Sequence, residues 1–509
     1  MQRRTLLAIL SGVCLWASAA EPVWLETFDD TAGPWPGDLV SQVAGHGGVL
    51  HVFLPPASAN SNRVVAFPLP LEKLRGRQIW FGAEVKTAGV SSKPNPWNGV
   101  KVMLVVQTPT GKDYPQPEIP EGTTAWQRYS ARADVPVTAT NLTLVLGLEQ
   151  VTGEAWFDNA RIVLKEPFKS TLKVDPTRPI FRGHNLPRLR GAMAGTELRE
   201  ADIRYFGTAW KGNLLRLQII EAARTDRRLE DYDAWLEQRL LVVDQMLGWC
   251  QKYGVRAVVD LHSPPGGQAF EAGYVTARGR IFTQPEAQAK FVQVWQKIAA
   301  RYKGWHMIWG FDLVNEPDDS MVAEDCLDWN GLADKTARAV RAIDSDRAII
   351  IEPDQWGNPQ AFSSFKPLDV PNVIYSFHFY QPMRFTHQGI QGNASPVAYP
   401  GEIGGQYWDK AALERAMQPA FDFARKYRGH MYVGEFSAIR TAPKGTAAKY
   451  LADVIEILEK HDCDWSYHAY REWQGWSLEH EGPLNNPVKA QLPTDRERIV
   501  TGWFSRNAR

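Results

Sequence analysis

From residue 168 onward, short apolar runs alternate with long helical patterns, and that alternation leaves few folds open. The strand-like runs are Phe181-Arg182-Gly183, Leu214–Leu217, Val255–Leu261, Ile308–Val314, Ala348–Ile351, Val373–Phe377, Met431–Val433 and Trp465–Tyr467. Helical patterns over Leu229–Tyr253, Glu286–Tyr302, Leu332–Ile343, Ala411–Tyr427 and Ala447–Lys460 separate most of them. Eight such units predict an α/β fold, a (β/α)8 TIM barrel over residues 167–509. A doubly wound open sheet is the alternative, but no G-x-G-x-x-G opens a helix.

Residues 20–166 read differently. Short strand-like runs such as Val49–Phe53, Gln78–Val85, Val100–Val106 and Leu142–Leu146 are punctuated by Pro, Gly, Ser and Asn, with no helical period between them. That pattern predicts an all-β sandwich. Its closing run, Gly153–Ile162, resembles the last strand of jelly-roll carbohydrate-binding modules, so the domain either binds sugar or is purely structural.

Residues 1–19 read as a cleaved signal peptide. Met1-Gln2-Arg3-Arg4 is the basic region, Thr5–Trp16 the apolar region and Ala17-Ser18-Ala19 the cleavage site. The expected location is secreted or periplasmic, with no membrane span. The remaining cysteines, Cys250, Cys326 and Cys463, are odd in number and widely spaced, and are expected to be buried thiols. Lys plus Arg (57) balances Asp plus Glu (57), which gives no basic field for nucleic acid. The 20 Trp and 16 Tyr are more telling, because flat amphipathic rings suit sugar faces.

In a barrel the chemistry collects where strands end. Phe311-Asp312-Leu313-Val314-Asn315-Glu316-Pro317 ends an apolar run in a carboxylate, and Met431-Tyr432-Val433-Gly434-Glu435-Phe436 does the same. Two carboxylates so placed are the minimum equipment for hydrolysing a glycosidic bond. Arg216, His262, Asn315, Glu352, Trp356, His378 and Tyr380 occupy comparable strand-end positions, and Trp465–Trp476 follows the last strand.

These motifs resemble glycoside hydrolase family 5, the cellulase family. The matching segments are Leu215-Arg216-Leu217, Asp260-Leu261-His262, Asn315-Glu316-Pro317, His378-Phe379-Tyr380 and Gly434-Glu435-Phe436, in the family's order. The resemblance implies a retaining hydrolase with Glu316 as acid/base and Glu435 as nucleophile. It needs no metal or organic cofactor. Arg216 is expected beneath Glu435 in a bidentate pair, Asn315 beside a sugar 2-hydroxyl, Tyr380 as a donor to the nucleophile, and His262 and His378 along the subsite at the cleavage point. The expected partner is a β-linked polysaccharide or oligosaccharide, and the expected state is monomeric. The implied activity is endo-β-1,4-glucanase. A β-mannanase, an endo- or exo-β-1,3-glucanase and a non-catalytic sugar-binding barrel are the alternatives.

Each residue also has a plainer reading. Glu316 before Pro317 suits a helix cap. Arg216 suits a structural ion pair, His262 and His378 suit core histidines, Glu352 suits a structural role, and Trp356 suits either barrel packing or a cleft platform. One departure stands out. Many family members carry a Trp three residues after the position of Trp465, as a platform under the sugar, and this chain has His468 there. Trp473 or Trp476 is the expected substitute.

Overall fold

The computed structural model describes the chain from residue 21 to residue 507, apart from residues 31–34, 36–38, 59, 166–167, 184–185, 222–228, 267–268, 272–273, 277–279, 321 and 391. The expected signal peptide lies outside the described residues. The chain forms two compact units. One comprises the residues up to Pro167 together with Ala323–Asp325, and the other Phe168–Val322 with Cys326–Arg509.

The first unit is a pair of antiparallel sheets. The larger sheet runs Val40–Val43, Gly47–Leu54, Gly153–Leu164, Gln78–Val90 and Gly122–Asp134 in spatial order, with Trp24–Glu26 also paired to Gly153–Leu164. The smaller runs Asn62–Pro68, Asn141–Glu149, Gly99–Thr108 and Gly111–Asp113. Their strands bury alternate residues such as Leu50 and Val52, Phe81 and Val85, Val102 and Leu104, and Leu144 and Leu146, as a two-sheet core requires. The strand Gly122–Asp134 was not expected from the sequence. Its first half turns Thr123, Ala125, Gln127 and Arg128 to solvent, so no apolar alternation marks it.

The second unit is a closed barrel of eight parallel strands, each hydrogen-bonded to the next and the last to the first. They are β1 (Arg190–Ala194), β2 (Leu214–Gln218), β3 (Arg256–Asp260), β4 (Ile308–Asp312), β5 (Ala348–Ile351), β6 (Val373–Phe379), β7 (Met431–Phe436) and β8 (Asp464–Tyr470). Seven were located correctly from the sequence. The first was not: Phe181-Arg182-Gly183 precedes the barrel, and β1 is Arg-Gly-Ala-Met-Ala. This strand lacks β-branched residues because it packs too closely for them. A Cβ on Gly191 would overlap the Leu214 carbonyl oxygen of β2. The unit between β5 and β6 also departs from the pattern, with only the 3-10 turn Pro359–Ser363.

One end of the barrel is filled by Leu189, Leu214, Val258, Trp309, Ala348, Ile350, Ile374 and Tyr432. Trp309 reaches this layer through an irregularity in the β3–β4 register, which pairs Ala257 with Ile308 but Val258 with Gly310. Cys250, Cys326 and Cys463 are buried free thiols, as expected. Among the described residues, no helix is long and apolar enough to cross a membrane.

Candidate active site

Side chains alternate along a strand, so the residue two beyond each apolar layer member faces the same interior. On β2, Leu214 is followed by Arg216, and on β3, Val258 is followed by Asp260. After Ile350 on β5 comes Glu352. The interior therefore changes from hydrocarbon to charge within two residues. β7 reaches the same arrangement with a bulge. Its register against β6 pairs Phe377 with Val433 and then His378 with Glu435, which leaves Gly434 as the extra residue. Without the bulge, the residue after Tyr432 on this face would be Gly434. A Cβ on Gly434 would come 2.8 Å from His378 Nε2, so only glycine allows the bulge and the histidine together.

Arg216 is fully buried at the centre. Its Nη1 donates to Glu435 Oε1 at 2.7 Å, its Nε to Asp312 Oδ2 at 2.9 Å and its Nη2 to Glu352 Oε1 at 3.1 Å. Nη2 also lies 3.2 Å from Asp260 Oδ1, and both terminal nitrogens donate to Asn315 Oδ1 at 3.1 Å. The expected bidentate pair with Glu435 is therefore corrected to a single hydrogen bond, because the rest of the guanidinium is shared among three other carboxyl groups. Burial pushes the Asp312 carboxyl well above the usual range against the pull of Arg216, with Glu352 and Asp260 adding to the rise. Asp312 Oδ1 is buried without a hydrogen-bond partner, which suits a neutral acid and eases the crowding of negative charge.

Glu316 lies just past the end of β4 with φ 46°, in the left-handed region that a side chain rarely adopts. Its backbone N–H donates to Glu352 Oε2 at 3.0 Å, and its Oε1 accepts from His378 Nδ1 at 2.8 Å. It caps no helix, since the following helix, Trp329–Ile343, is capped by Asp328. Glu352 thus supports three neighbours at once. It holds the Glu316 backbone and Arg216, and its Oε1 sits 3.1 Å from His378 Nε2.

His378 is buried between three carboxylates. Burial lowers its basicity, but Glu352, Glu435 and Glu316 together raise it well above the ordinary value. Tyr380 donates to Glu435 Oε2 at 2.7 Å. His468 Nδ1 lies 3.2 Å from the same oxygen, and its Nε2 lies 3.0 Å from Glu472 Oε2. Burial would raise the Glu435 carboxyl, yet His378, His468 and Arg216 hold it well below its usual range. One carboxylate oxygen of Glu316 and one of Glu435 lie within 4.8 Å of each other.

The other candidates are distributed around this centre. His262 Nδ1 pairs with Asp260 Oδ2 at 2.9 Å. Trp473 is 41% exposed and packs edge-on against the buried Trp476, whose ring also adjoins Tyr380 and His468. Trp356 is 47% exposed, which removes the packing alternative, and its backbone N–H donates to the Pro317 carbonyl. Sequence reasoning did not single out Asp312 or Glu472, nor Asp260 as a contact of Arg216. Asp312 carried a signal in hindsight, as an acid inside an otherwise apolar strand.

By distance, Glu316, His378 and Glu435 form a group small enough to surround an ion. Here His378 Nδ1 already engages Glu316 Oε1 and Tyr380 already engages Glu435 Oε2. His46, Glu84 and Asp158 of the first unit form another such group. There His46 bonds Asp158 Oδ2 at 2.8 Å, and Asn159 and Arg128 already engage Glu84.

A closed parallel barrel with two carboxylates side by side at its strand ends is an arrangement suited to hydrolysing a glycosidic bond. The chain belongs to the cellulase family, glycosyl hydrolase family 5, whose profile matches residues 175–474. It is 30% identical over 259 residues to endoglucanase C of Acetivibrio thermocellus, a match covering 45% of this chain and 73% of that protein. It is 28% identical over 238 residues to cellodextrinase A of Ruminococcus flavefaciens, covering 45% of this chain and 67% of that protein. Among solved structures, it is similar to the cellulose synthase subunit Z of Clostridioides difficile at a TM-score of 0.49 and 18% identity, over 62% of this chain and 99% of that one.

Proposed function

We propose that the enzyme hydrolyses β-1,4-glucan internally and with retention of configuration, through a covalent intermediate on Glu435. The observation that carries this reading is that one oxygen of Glu316 and one of Glu435 lie within 4.8 Å of each other, which favours the closer of the two known carboxyl spacings. Retaining hydrolases hold their carboxyl groups about 5 to 5.5 Å apart, whereas inverting ones need about 6.5 to 9.5 Å to admit a water between acid and base.

In the first step, Glu435 attacks the anomeric carbon and forms a glycosyl ester. The glycosidic C–O bond breaks, and Glu316 gives its proton to the departing oxygen. In the second, water attacks the anomeric carbon, Glu316 takes its proton and the ester bond to Glu435 breaks. The environment supports this division. Arg216, Tyr380, His378 and His468 surround Glu435 and keep it ionised and ready to attack. His378 fixes the direction of the Glu316 carboxyl. Trp473 and Trp356 present exposed rings on which sugar units can stack.

The test is the anomer formed first. Proton NMR of hydrolysis products should show the β form before mutarotation, and an α product would replace this reading with inversion. Product sizes from a panel of β-1,4-glucan, β-mannan and β-1,3-glucan test the substrate. His468 in the platform position is the reason the two alternative glycans belong in that panel.

A further inference from the structure

We propose that His468 is a positioning residue that acts through Glu435, joining it to Glu472 in a three-membered ionic chain in place of an aromatic sugar platform. The proposal rests on Glu435 being the nucleophile. In the chain, Glu472 Oε2 faces His468 Nε2 at 3.0 Å, and His468 Nδ1 faces Glu435 Oε2 at 3.2 Å. Tyr380 closes the arrangement from β6, with its hydroxyl bonded to both Glu435 and the same imidazole nitrogen. The ring of Trp476 packs 5.8 Å from that of His468 and so limits the space into which the imidazole can turn. Every ring nitrogen of His468 therefore has an anionic neighbour, an arrangement suited to a cation and wasteful for a neutral ring.

The groups facing Glu435 come from four other strands. They are Arg216 on β2, Glu316 beyond β4, His378 on β6 with Tyr380 just beyond it, and His468 on β8. Around His468 the charged neighbours are Glu435 and Glu472. His262 acts on Glu472 from the β3 side, and buried His387 has its pKa lowered to about 4 by burial and by His468 itself, so it stays neutral. Burial would make His468 less basic, but Glu435 and Glu472 outweigh it and push its pKa up to about 10. A cation near the nucleophile carboxylate favours the ionised form. Its loss raises the pKa of Glu435 and moves the acid limb of kcat/KM to higher pH.

His468→Asn keeps a neutral donor towards Glu435 and removes the charge. Its acid limb should move up by about one pH unit, the lower end of the effect of an opposite charge at this range. Glu472→Gln should behave in the opposite manner. It leaves the acid limb where it was or lower, while the titration of His468 itself, followed by 15N NMR of labelled histidine, falls by about one unit from its value in the unmodified protein. A platform or packing role moves neither quantity. The proposal is overturned if His468→Asn has the acid limb of the parent enzyme, or if His468 in the parent titrates at the ordinary histidine value. Should His468→Asn fail to fold, the histidine titration in the parent and in Glu472→Gln decides the matter. Activity surviving in Glu435→Ala would instead remove the reading of Glu435 as nucleophile, an outcome separate from any of these.

Discussion

The two ends of the barrel interior are built on the same strands and differ in nearly everything else. At one end Leu214, Val258, Ile350 and Ile374 meet in a dry layer. Two residues further along, Arg216, Asp260, Glu352 and, beyond Ser376, His378 meet in a layer of charge. The apolar end needs only volume and shape, because dispersion and burial are non-directional. The charged end is buried just as deeply, so each charge needs a partner at the right distance. One guanidinium faces four carboxyl groups there, and burial pushes the Asp312 carboxyl up while the neighbouring glutamates push the His378 imidazole up, both of which ease the excess of negative charge.

The comparison can be broken most sharply at the carboxylates. Glu435→Ala and Glu316→Ala should each reduce kcat by several orders of magnitude, on the order of 10³-fold or more, and Glu435→Ala should also lower the thermal transition, because it leaves buried Arg216 and His378 without a carboxylate partner. Arg216→Met should damage both activity and stability. It leaves Asp260, Glu352 and Glu435 around a site without their common cation, and breaking a buried ionic arrangement in this way costs about 3 to 5 kcal/mol. Chemical denaturation read beside hydrolysis rates would check it, and an Arg216→Met enzyme with parental stability would show that the charged layer is less tightly coupled than its distances imply.

Gly434→Ala tests the bulge. The added methyl meets His378, which Glu316 and Glu352 hold in place, so the expected cost is about 1 to 3 kcal/mol of strain and about a tenfold fall in kcat/KM. At the apolar end, Ile374→Val should cost only about 0.5 to 1.5 kcal/mol and leave the pH profile of hydrolysis untouched. A shifted profile there would mean that the two layers are not independent.

The pH behaviour follows from the same contrast. Glu435 is held well below its usual range, where burial alone would raise it, by His378, His468 and Arg216. A carboxylate with a depressed folded-state pKa contributes stability above its unfolded value and loses it as pH falls through the folded one. Activity should therefore persist below the ordinary glutamate range, while stability declines progressively as pH falls from the ordinary glutamate value towards the depressed one, as paired activity and unfolding curves would show.

Much of this was legible beforehand because periodicity and strand-end position are local properties. The apolar runs ending in Asn315-Glu316-Pro317 and Gly434-Glu435 marked β4 and β7, and the family motifs followed them in order. The first strand was missed because Gly191 and its small neighbours answer to the closeness of β2, a constraint held in no local pattern. Asp312 and Glu472 were missed for a related reason, since nothing along the chain shows that an acid will meet Arg216 or His468 across the barrel.

By itself, then, the sequence determined the alternation that closes a barrel and the residues set at its strand ends, because both arise from the pleat and from which side chains avoid water. Only the tertiary structure decided how those residues share charge. It gave Arg216 four carboxyl neighbours in place of one and used a bulge at Gly434 to aim Glu435. It also put His468 between two glutamates. Electrostatic energy depends on distance and burial in three dimensions, and residues far apart in the chain acquire both only when the eight strands come together.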